Sequence, residues 1–186
     1  MDLEIFVTDG LGDASYLLAG GREAVLVDPQ RDAWRFLETA ERRGWRVTHV
    51  IETHLHNDYL SGALETRAAT GAEIVAPARG GYAFAHRGVD EGDTVELDRL
   101  RLIALATPGH TPEHLAWAVH ASDADDDAPE AVFTGGSLLV GSAGRTDLLG
   151  AQLAAALTAD QRRSLRRLAA LPPSARIRPT HGSGSF

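Results

Sequence analysis

The chain has 186 residues, a length that suits one domain with a hydrophobic core, and we expect residues 1–186 to form a single domain. Its formal net charge of −8 argues against nucleic acid or an anionic membrane as a partner, and the absence of cysteine and lysine excludes disulfides, thiolate ligands and Schiff-base chemistry. Because the sequence shows neither a signal peptide nor an apolar run long enough to span a membrane, we expect a cytoplasmic protein.

The first half of the sequence reads as short strands with two helices between them. Apolar residues that alternate or run between glycines predict strands at residues 3–8, 15–18, 24–28 and 49–53. The first helix is predicted to start with Asp32 as its N-cap and to end at Gly44. Its buried face is predicted to carry Trp34, Phe36, Leu37 and Ala40. The second helix is predicted to start after Ser61 and to end at Gly71.

The second half repeats this order of strands followed by helices, which favours two α/β halves. The pattern predicts a strand at residues 73–76, a hairpin over residues 94–106 and further strands at residues 115–119 and 132–134. The acidic run at residues 121–130 is predicted to be a solvated loop. Residues 148–171 are predicted to form two helices, with a capping box of Thr158 and Gln161 at the start of the second. A last strand leads from Ile177 to His181.

Two histidines and an aspartate follow the predicted strand at residues 49–53. His54, His56 and Asp58 stand two residues apart from one another, so in an extended segment their side chains project to the same side. Imidazole nitrogens and carboxylate oxygens are good ligands for zinc and iron. This triplet therefore predicts a metal site rather than a polar turn.

His110 and His181 also stand at the ends of predicted strands, each beside proline and glycine residues that sharpen a turn. In α/β sheets, ligands tend to bind at the edge where several strands end. We therefore expect one metal site to which His54, His56, Asp58, His110 and His181 contribute.

Five short segments in a fixed order resemble one protein family. They are THLHND at residues 53–58, TPGH at 107–110, FTG at 133–135, GRTD at 144–147 and PTHG at 179–182. They are similar to the motifs of the metallo-β-lactamase superfamily, in its persulfide dioxygenase-like and glyoxalase II-like branch, which includes rhodanese-fused forms. The resemblance covers nearly the whole chain and implies an α/β fold, the αβ/βα four-layer sandwich, with metal bound between two sheets.

The sequence departs from the family pattern at two metal positions. Gly136 stands where the family has an aspartate that binds or bridges metal, and Tyr59 stands where it has a second-site histidine. The resemblance then leaves His54, His56 and His110 for one divalent ion, zinc or iron, while a second site keeps only Asp58 and His181. Three imidazoles and a water molecule make a competent mononuclear site. Iron would require Asp58 to supply a carboxylate.

Further residues have two interpretations each. Arg145 could bind a substrate carboxylate, but we favour an ion pair with Asp147. Tyr59 could donate a hydrogen bond to substrate or simply pack as an aromatic ring. Asp28 is expected either to orient a metal-binding histidine or to lie in a turn at the end of a strand. His114 is expected either to support the metal ligands or to lie at the surface. Trp34, Phe36 and Trp117 are expected in the core.

Three functions remain open from the sequence. The first is a hydrolase that attacks a thioester of a small thiol, such as a glutathione derivative, with a metal-bound hydroxide at a mononuclear site, using Asp58, Tyr59 and Arg145. The second is an iron-dependent glutathione persulfide dioxygenase. The third is a degraded domain for binding or sulfur relay. A rhodanese domain or a second copy of the chain are candidate partners.

Overall fold

The computed structural model describes residues 1–122 and 128–182. Its strands are β1 (Asp2–Val7), β2 (Ala14–Ala19), β3 (Glu23–Val27), β4 (Arg46–Ile51), β5 (Glu73–Pro77), β6 (Arg87–Val89), β7 (Thr94–Glu96), β8 (Leu100–Ala106), β9 (Leu115–Ala121), β10 (Ala131–Gly135), β11 (Leu138–Leu139), β12 (Ser142–Ala143) and β13 (Arg176–Pro179). The helices are α1 (Trp34–Arg43), α2 (Ala63–Thr70) and α3 (Ala151–Ala169). The predicted acidic loop at residues 121–130 lies largely outside this range. No helix in the described part is long and apolar enough to cross a membrane.

The strands form two main sheets. The first has the order β1-β2-β3-β4-β5-β6, and the second has the order β13-β10-β9-β8-β7. Strands β3 to β6 run parallel to one another, as do β10 and β13. The remaining neighbours are antiparallel, including the predicted hairpin of β7 and β8. The carboxyl ends of the parallel strands are the places where α/β sheets collect functional residues.

The two sheets pack face to face, and the helices cover their outer faces. Val27 and Ile51 of the first sheet join Leu102, Trp117 and Phe133 of the second in one buried cluster. On the outer face of the first sheet, Phe36 and Ala63 bring α1 and α2 onto a separate apolar cluster. Leu168 of α3 packs on the outer face of the second sheet. This order of layers is the predicted αβ/βα sandwich.

The start of α1 differs from the prediction. Its N-cap residue is Ala33 rather than Asp32, and Asp32 instead forms an ion pair with Arg35 at 3.0 Å. Trp34 is 62% exposed, whereas Phe36 is fully buried. Residues two apart on a helix point about 200° apart, so these two rings cannot share one buried face. The predicted end at Gly44 is confirmed, since this glycine adopts a left-handed conformation that caps the helix.

The predicted break at Thr158 is also wrong, because α3 is continuous. The Thr158 hydroxyl donates 2.7 Å to the carbonyl oxygen of Ala154, one turn earlier, instead of capping a new helix. Gln161 points away from the helix and donates 2.6 Å to the carbonyl oxygen of Ser137. The segment between them contains no glycine or proline that would end a helix.

Candidate metal centre

Three histidines from different parts of the fold converge at the edge between the two sheets. His54 follows β4, His110 lies between β8 and β9, and His181 follows β13. One ring nitrogen from each of them lies within 4.8 Å of the other two. All three side chains are buried or nearly so. The sequence placed each of them at the end of a strand, and the fold brings these strand ends together.

The hydrogen bonds of these histidines fix which ring nitrogen carries the proton. His110 Nδ1 lies 3.0 Å from the carbonyl oxygen of Arg145, and His181 Nδ1 lies 2.9 Å from Asp13 Oδ1. Both partners can only accept, so each Nδ1 is the donor. The Thr53 hydroxyl donates to Asp28 at 2.7 Å and therefore accepts from His54 Nδ1 at 2.8 Å. In each neutral ring, the lone pair is then on Nε2.

These lone pairs make the cluster fit a divalent cation. The Nε2 atoms of His54 and His181 are 3.2 Å apart, close enough for both to face one bound ion. Burial and the neighbouring histidines hold the pKa of His54 well below its usual value. Burial and the proximity of His181 lower the pKa of His110 to about 4. Neutral imidazoles with free nitrogens are the form that zinc and iron bind.

His56 and Asp58 form an overlapping group that shares His181. A ring nitrogen of His56, a carboxylate oxygen of Asp58 and a ring nitrogen of His181 lie within 4.8 Å of one another. Asp58 Oδ2 also lies 3.2 Å from His181 Nδ1. All five residues predicted as metal ligands therefore belong to one of two groups joined at His181, and their individual ligand roles stay predictions.

Two buried carboxylates face the other side of His56. Its Nε2 lies 3.2 Å from Asp28 Oδ1 and 3.4 Å from Glu52 Oε2. Burial alone would lower the pKa of His56, but these two carboxylates outweigh it and raise the pKa to about 10. They stabilise positive charge at this ring, whether it comes from a proton or from a bound metal ion.

Asp28 organises this side of the site in a strained backbone conformation. Its φ of 48° is the single positive value at a non-glycine residue in the described part of the chain. Its carboxylate accepts hydrogen bonds from Thr53 and Thr180, and its carbonyl oxygen accepts from Ser15 at 2.7 Å. Such conformations persist where many contacts determine them, and they cluster at functional sites.

The other predicted site residues occupy different places. The Tyr59 ring stacks on His56 with centroids 4.4 Å apart, and its hydroxyl donates 3.2 Å to the carbonyl oxygen of Asp28. Arg145 forms a two-pronged ion pair with Asp147, both bonds being 3.0 Å long. This is the pairing that the sequence favoured, and both side chains remain more than half exposed.

His114 lies buried behind the cluster and is fully hydrogen-bonded. Its Nε2 accepts 3.0 Å from the backbone N–H of Gly136, and its Nδ1 lies 2.9 Å from the Thr107 hydroxyl. Its ring stacks on His54 with centroids 4.9 Å apart. His114 therefore supports the site without a free nitrogen for a metal ion.

A cavity of about 380 Å³ opens onto the three histidines, a volume that suits a small-molecule ligand. His54, His110 and His181 line one part of it, and Leu139, Arg145 and Leu148 line another. The cavity thus combines apolar walls with the candidate metal ligands and one exposed guanidinium group.

The family is decided by comparison with known proteins. A family model described as the metallo-beta-lactamase superfamily matches residues 8–181. The chain belongs to the metallo-beta-lactamase superfamily. The predicted superfamily and its four-layer sandwich are thereby confirmed.

Individual members of the superfamily are similar over nearly the whole chain. A hydroxyacylglutathione hydrolase of Cereibacter sphaeroides is 34% identical, with 97% of this chain and 67% of that relative covered. The crystal structure of ETHE1 from Myxococcus xanthus has a TM-score of 0.85 at 29% identity, covering 100% of this chain and 78% of its own. A metallo-beta-lactamase from Staphylococcus aureus subsp. aureus COL has a TM-score of 0.91 at 30% identity. That match covers 99% of this chain but 56% of the other, so this chain spans little more than half of it.

These likenesses support the predicted glyoxalase II-like and persulfide dioxygenase-like branch of the superfamily. Gly136 stands where the family pattern has an aspartate, and the structure leaves no room for a side chain at this position. A Cβ atom at this position would lie 2.3 Å from His110 Cδ2 and 2.6 Å from His110 Nε2. His110 therefore occupies the space of a side chain at residue 136. A carboxylate at position 136 is therefore not among the groups that could hold a metal ion in the described part of the chain.

The sequence did not reveal the contributions of Asp13 and Glu52. Asp13 is 168 positions away from His181 in the chain, and no spacing rule links them. Glu52 carried a usable signal, because it is a charged residue at the end of an apolar strand and is nonetheless 1% exposed. Buried charges of this kind are almost always paired.

Asp13→Asn is expected to weaken zinc binding about 10- to 100-fold, the usual effect of losing a carboxylate that orients a metal-binding histidine. The amide can still accept from His181 Nδ1, but it carries no charge and can rotate to present its NH₂ group instead. Chelator competition measures the affinity, and ¹⁵N NMR of His181 reports its tautomer. Asp9→Asn, on the same loop but outside the cluster, is the control. Unchanged affinity and tautomer in Asp13→Asn would rule out the orienting role.

Proposed function

We propose that this domain is a metal-dependent hydrolase that cleaves acyl thioesters of a small thiol. One observation carries the proposal: three buried imidazoles converge with Nε2 lone pairs at the base of a cavity, each held by an acceptor at Nδ1. His54, His110 and His181 would hold one divalent ion, zinc before iron. Such an ion polarises a carbonyl group and lowers the pKa of a water molecule toward neutrality.

The residues around the cavity supply the remaining functions. Asp58 lines the cavity beside His181, with its side chain 31% exposed, and is placed to accept a proton from the attacking water. The water oxygen bonds to the acyl carbon, the carbon–sulfur bond breaks, and the thiolate leaves with its electron pair. The proton held by Asp58 then neutralises the thiolate, and the products are a carboxylic acid and a thiol.

Arg145 favours an anionic substrate. Its Nε and one terminal nitrogen bind Asp147, which leaves the other terminal nitrogen available on the cavity wall. A thiol that carries carboxylates, such as glutathione, fits this charge. The similarity to the hydroxyacylglutathione hydrolase of Cereibacter sphaeroides supports the same substrate class.

The test is hydrolysis of S-lactoylglutathione by the zinc-loaded chain, followed by thiol release. We expect turnover that disappears with chelator and returns with zinc, and Asp58→Asn is expected to lower kcat about 10²- to 10⁴-fold, the usual contribution of a general base. Asn57→Ala is the matched control, because Asn57 lines the same cavity, and this variant should keep most of the activity. Thiol release that is unaffected by chelator, or oxygen consumption with glutathione persulfide by an iron-loaded chain without thioester turnover, would overturn the proposal.

A further inference from the structure

Gln161 lies on the buried face of α3, directly against the loop that carries His110. Its side chain is polar, yet the residue is 4% exposed. Gly109, the residue before His110, approaches α3 so closely that a Cβ atom at position 109 would lie 2.5 Å from Gln161 Cβ. Its φ of 144° is also one that residues other than glycine rarely adopt. The helix and the His110 loop are therefore in direct contact at this glutamine.

The amide of Gln161 reaches a second loop, which lies against the His110 ring. Its Nε2 donates 2.6 Å to the carbonyl oxygen of Ser137. Gly136, the residue before Ser137, touches the ring, since a Cβ atom there would lie 2.6 Å from His110 Nε2. Gln161 thus joins the loop that carries His110 to the loop against which its ring packs.

The Ser137 carbonyl also anchors the segment that orients His110. It accepts a second hydrogen bond, of 3.2 Å, from the backbone N–H of Gly144. The next residue, Arg145, provides the carbonyl oxygen that lies 3.0 Å from His110 Nδ1. A short run of hydrogen bonds therefore leads from Gln161 to the acceptor that fixes the His110 ring.

The hydrogen bond to Ser137, and not the packing, distinguishes glutamine at this position. Gln161 Oε1 is buried and has no hydrogen-bond partner among the described residues. A buried acceptor without a donor destabilises the fold, and a methionine of similar size would fill the same space without one. The Nε2 bond is what the amide adds in return.

We propose that Gln161 is a positioning residue of the metal centre, which holds His110 in place for a divalent ion without touching the ion or the substrate. The proposal rests on the three-histidine ion site of the proposed hydrolase. Without the bond to Ser137, the Arg145 carbonyl and the His110 ring have more freedom to move. An ion binds less tightly when the residues around its ligands no longer hold them in the binding geometry.

The experiment compares Gln161→Met with Gln152→Met in the full chain. Gln152 also lies on α3, but it is exposed, and its amide donates 3.3 Å to the carbonyl oxygen of Leu149, outside the metal centre. Chelator competition should show an affinity for zinc about 3- to 10-fold lower in Gln161→Met, the equivalent of one ordinary hydrogen bond. The visible spectrum of the cobalt-loaded chain, which reports ligand geometry, should change in this variant and stay unchanged in Gln152→Met.

The metal-free chain provides a readout that needs no ion. In ¹⁵N NMR, the His110 Nδ1–H should exchange with solvent about 3- to 10-fold faster in Gln161→Met than in the unmutated chain. Leu168→Val is the control for stability, because Leu168 packs on the outer face of the second sheet. It should lower the unfolding temperature without changing this exchange rate or the affinity for zinc.

Equal zinc affinity, cobalt spectrum and exchange rate in Gln161→Met and the unmutated chain would overturn the proposal and leave the hydrolase standing. Equal losses in Leu168→Val would also overturn it, because they would follow from stability alone. If the unmutated chain binds no zinc, the proposed hydrolase is wrong, and the exchange rates still decide the role of Gln161. Gln161→Leu, which also lacks the donor, takes the place of Gln161→Met if the latter does not fold.

Discussion

His110→Ala is expected to lower the affinity of the chain for zinc by more than about 100-fold. Loss of a residue that merely orients a metal ligand already costs about 10- to 100-fold, and this substitution removes a ligand itself. The substitution removes one of three converging nitrogens and leaves His54 and His181 as the remaining pair of their group. Elemental mass spectrometry after purification without a histidine tag measures bound zinc, and competition with a chelator measures the affinity.

His49→Ala is the matched control for this experiment. His49 lies on β4 next to Glu73, outside the groups of residues that could hold a metal ion. It should keep about one zinc per chain. If His110→Ala binds zinc as tightly as the unmutated chain and as the control, the proposed three-histidine site is wrong, and the group of His56, Asp58 and His181 becomes the next candidate.

Gly136→Asp is expected to weaken zinc binding, although it restores the residue of the family pattern. Its Cβ would lie 2.3 Å from the His110 ring, so the ring must leave its place near His54 and His181. Overpacking of this kind costs about 1–3 kcal/mol of folding free energy. Zinc affinity and thermal unfolding of the metal-free chain, measured side by side, separate the loss of the site from the loss of stability.

Gly136→Ala separates the steric effect from the effect of the carboxylate. Alanine introduces the same Cβ without any ligand atom, so both variants should lose zinc affinity to a similar extent. The opposite result, in which Gly136→Asp binds zinc more tightly than the unmutated chain while Gly136→Ala binds it less tightly, would show that His110 makes room and that the aspartate becomes a ligand.

Much of the fold could be predicted from local patterns. Alternating or continuous apolar residues marked the main strands, and Gly44 and Gly71 marked the ends of α1 and α2 because both adopt the left-handed conformation that glycine tolerates. The break in α3 was predicted wrongly from Thr158 and Gln161. A capping pattern within an alanine-rich segment does not outweigh the propensity of the surrounding residues to continue the helix.

The candidate site could be predicted in part for a different physical reason. His54, His110 and His181 each follow a strand, so topology alone brings them to one edge. The outer partners are set by tertiary contacts instead. Asp13 reaches His181 because the loop before β2 packs against the end of β13, where the Ala14 N–H donates 2.7 Å to the carbonyl oxygen of Thr180. Such a contact leaves no periodic trace in the sequence.

The three histidines follow strands of both main sheets. His54 follows a strand of the first sheet, and His110 and His181 follow strands of the second. An ion bound to all three would join the two sheets as a cross-link. It could form only after both sheets had docked, so the ion would bind the folded chain and not its unfolded form. Mass action then couples zinc concentration to thermal stability, at about 2.7 kcal/mol when free zinc reaches 100 times Kd. Zinc uptake during refolding would therefore report the docking of the two sheets.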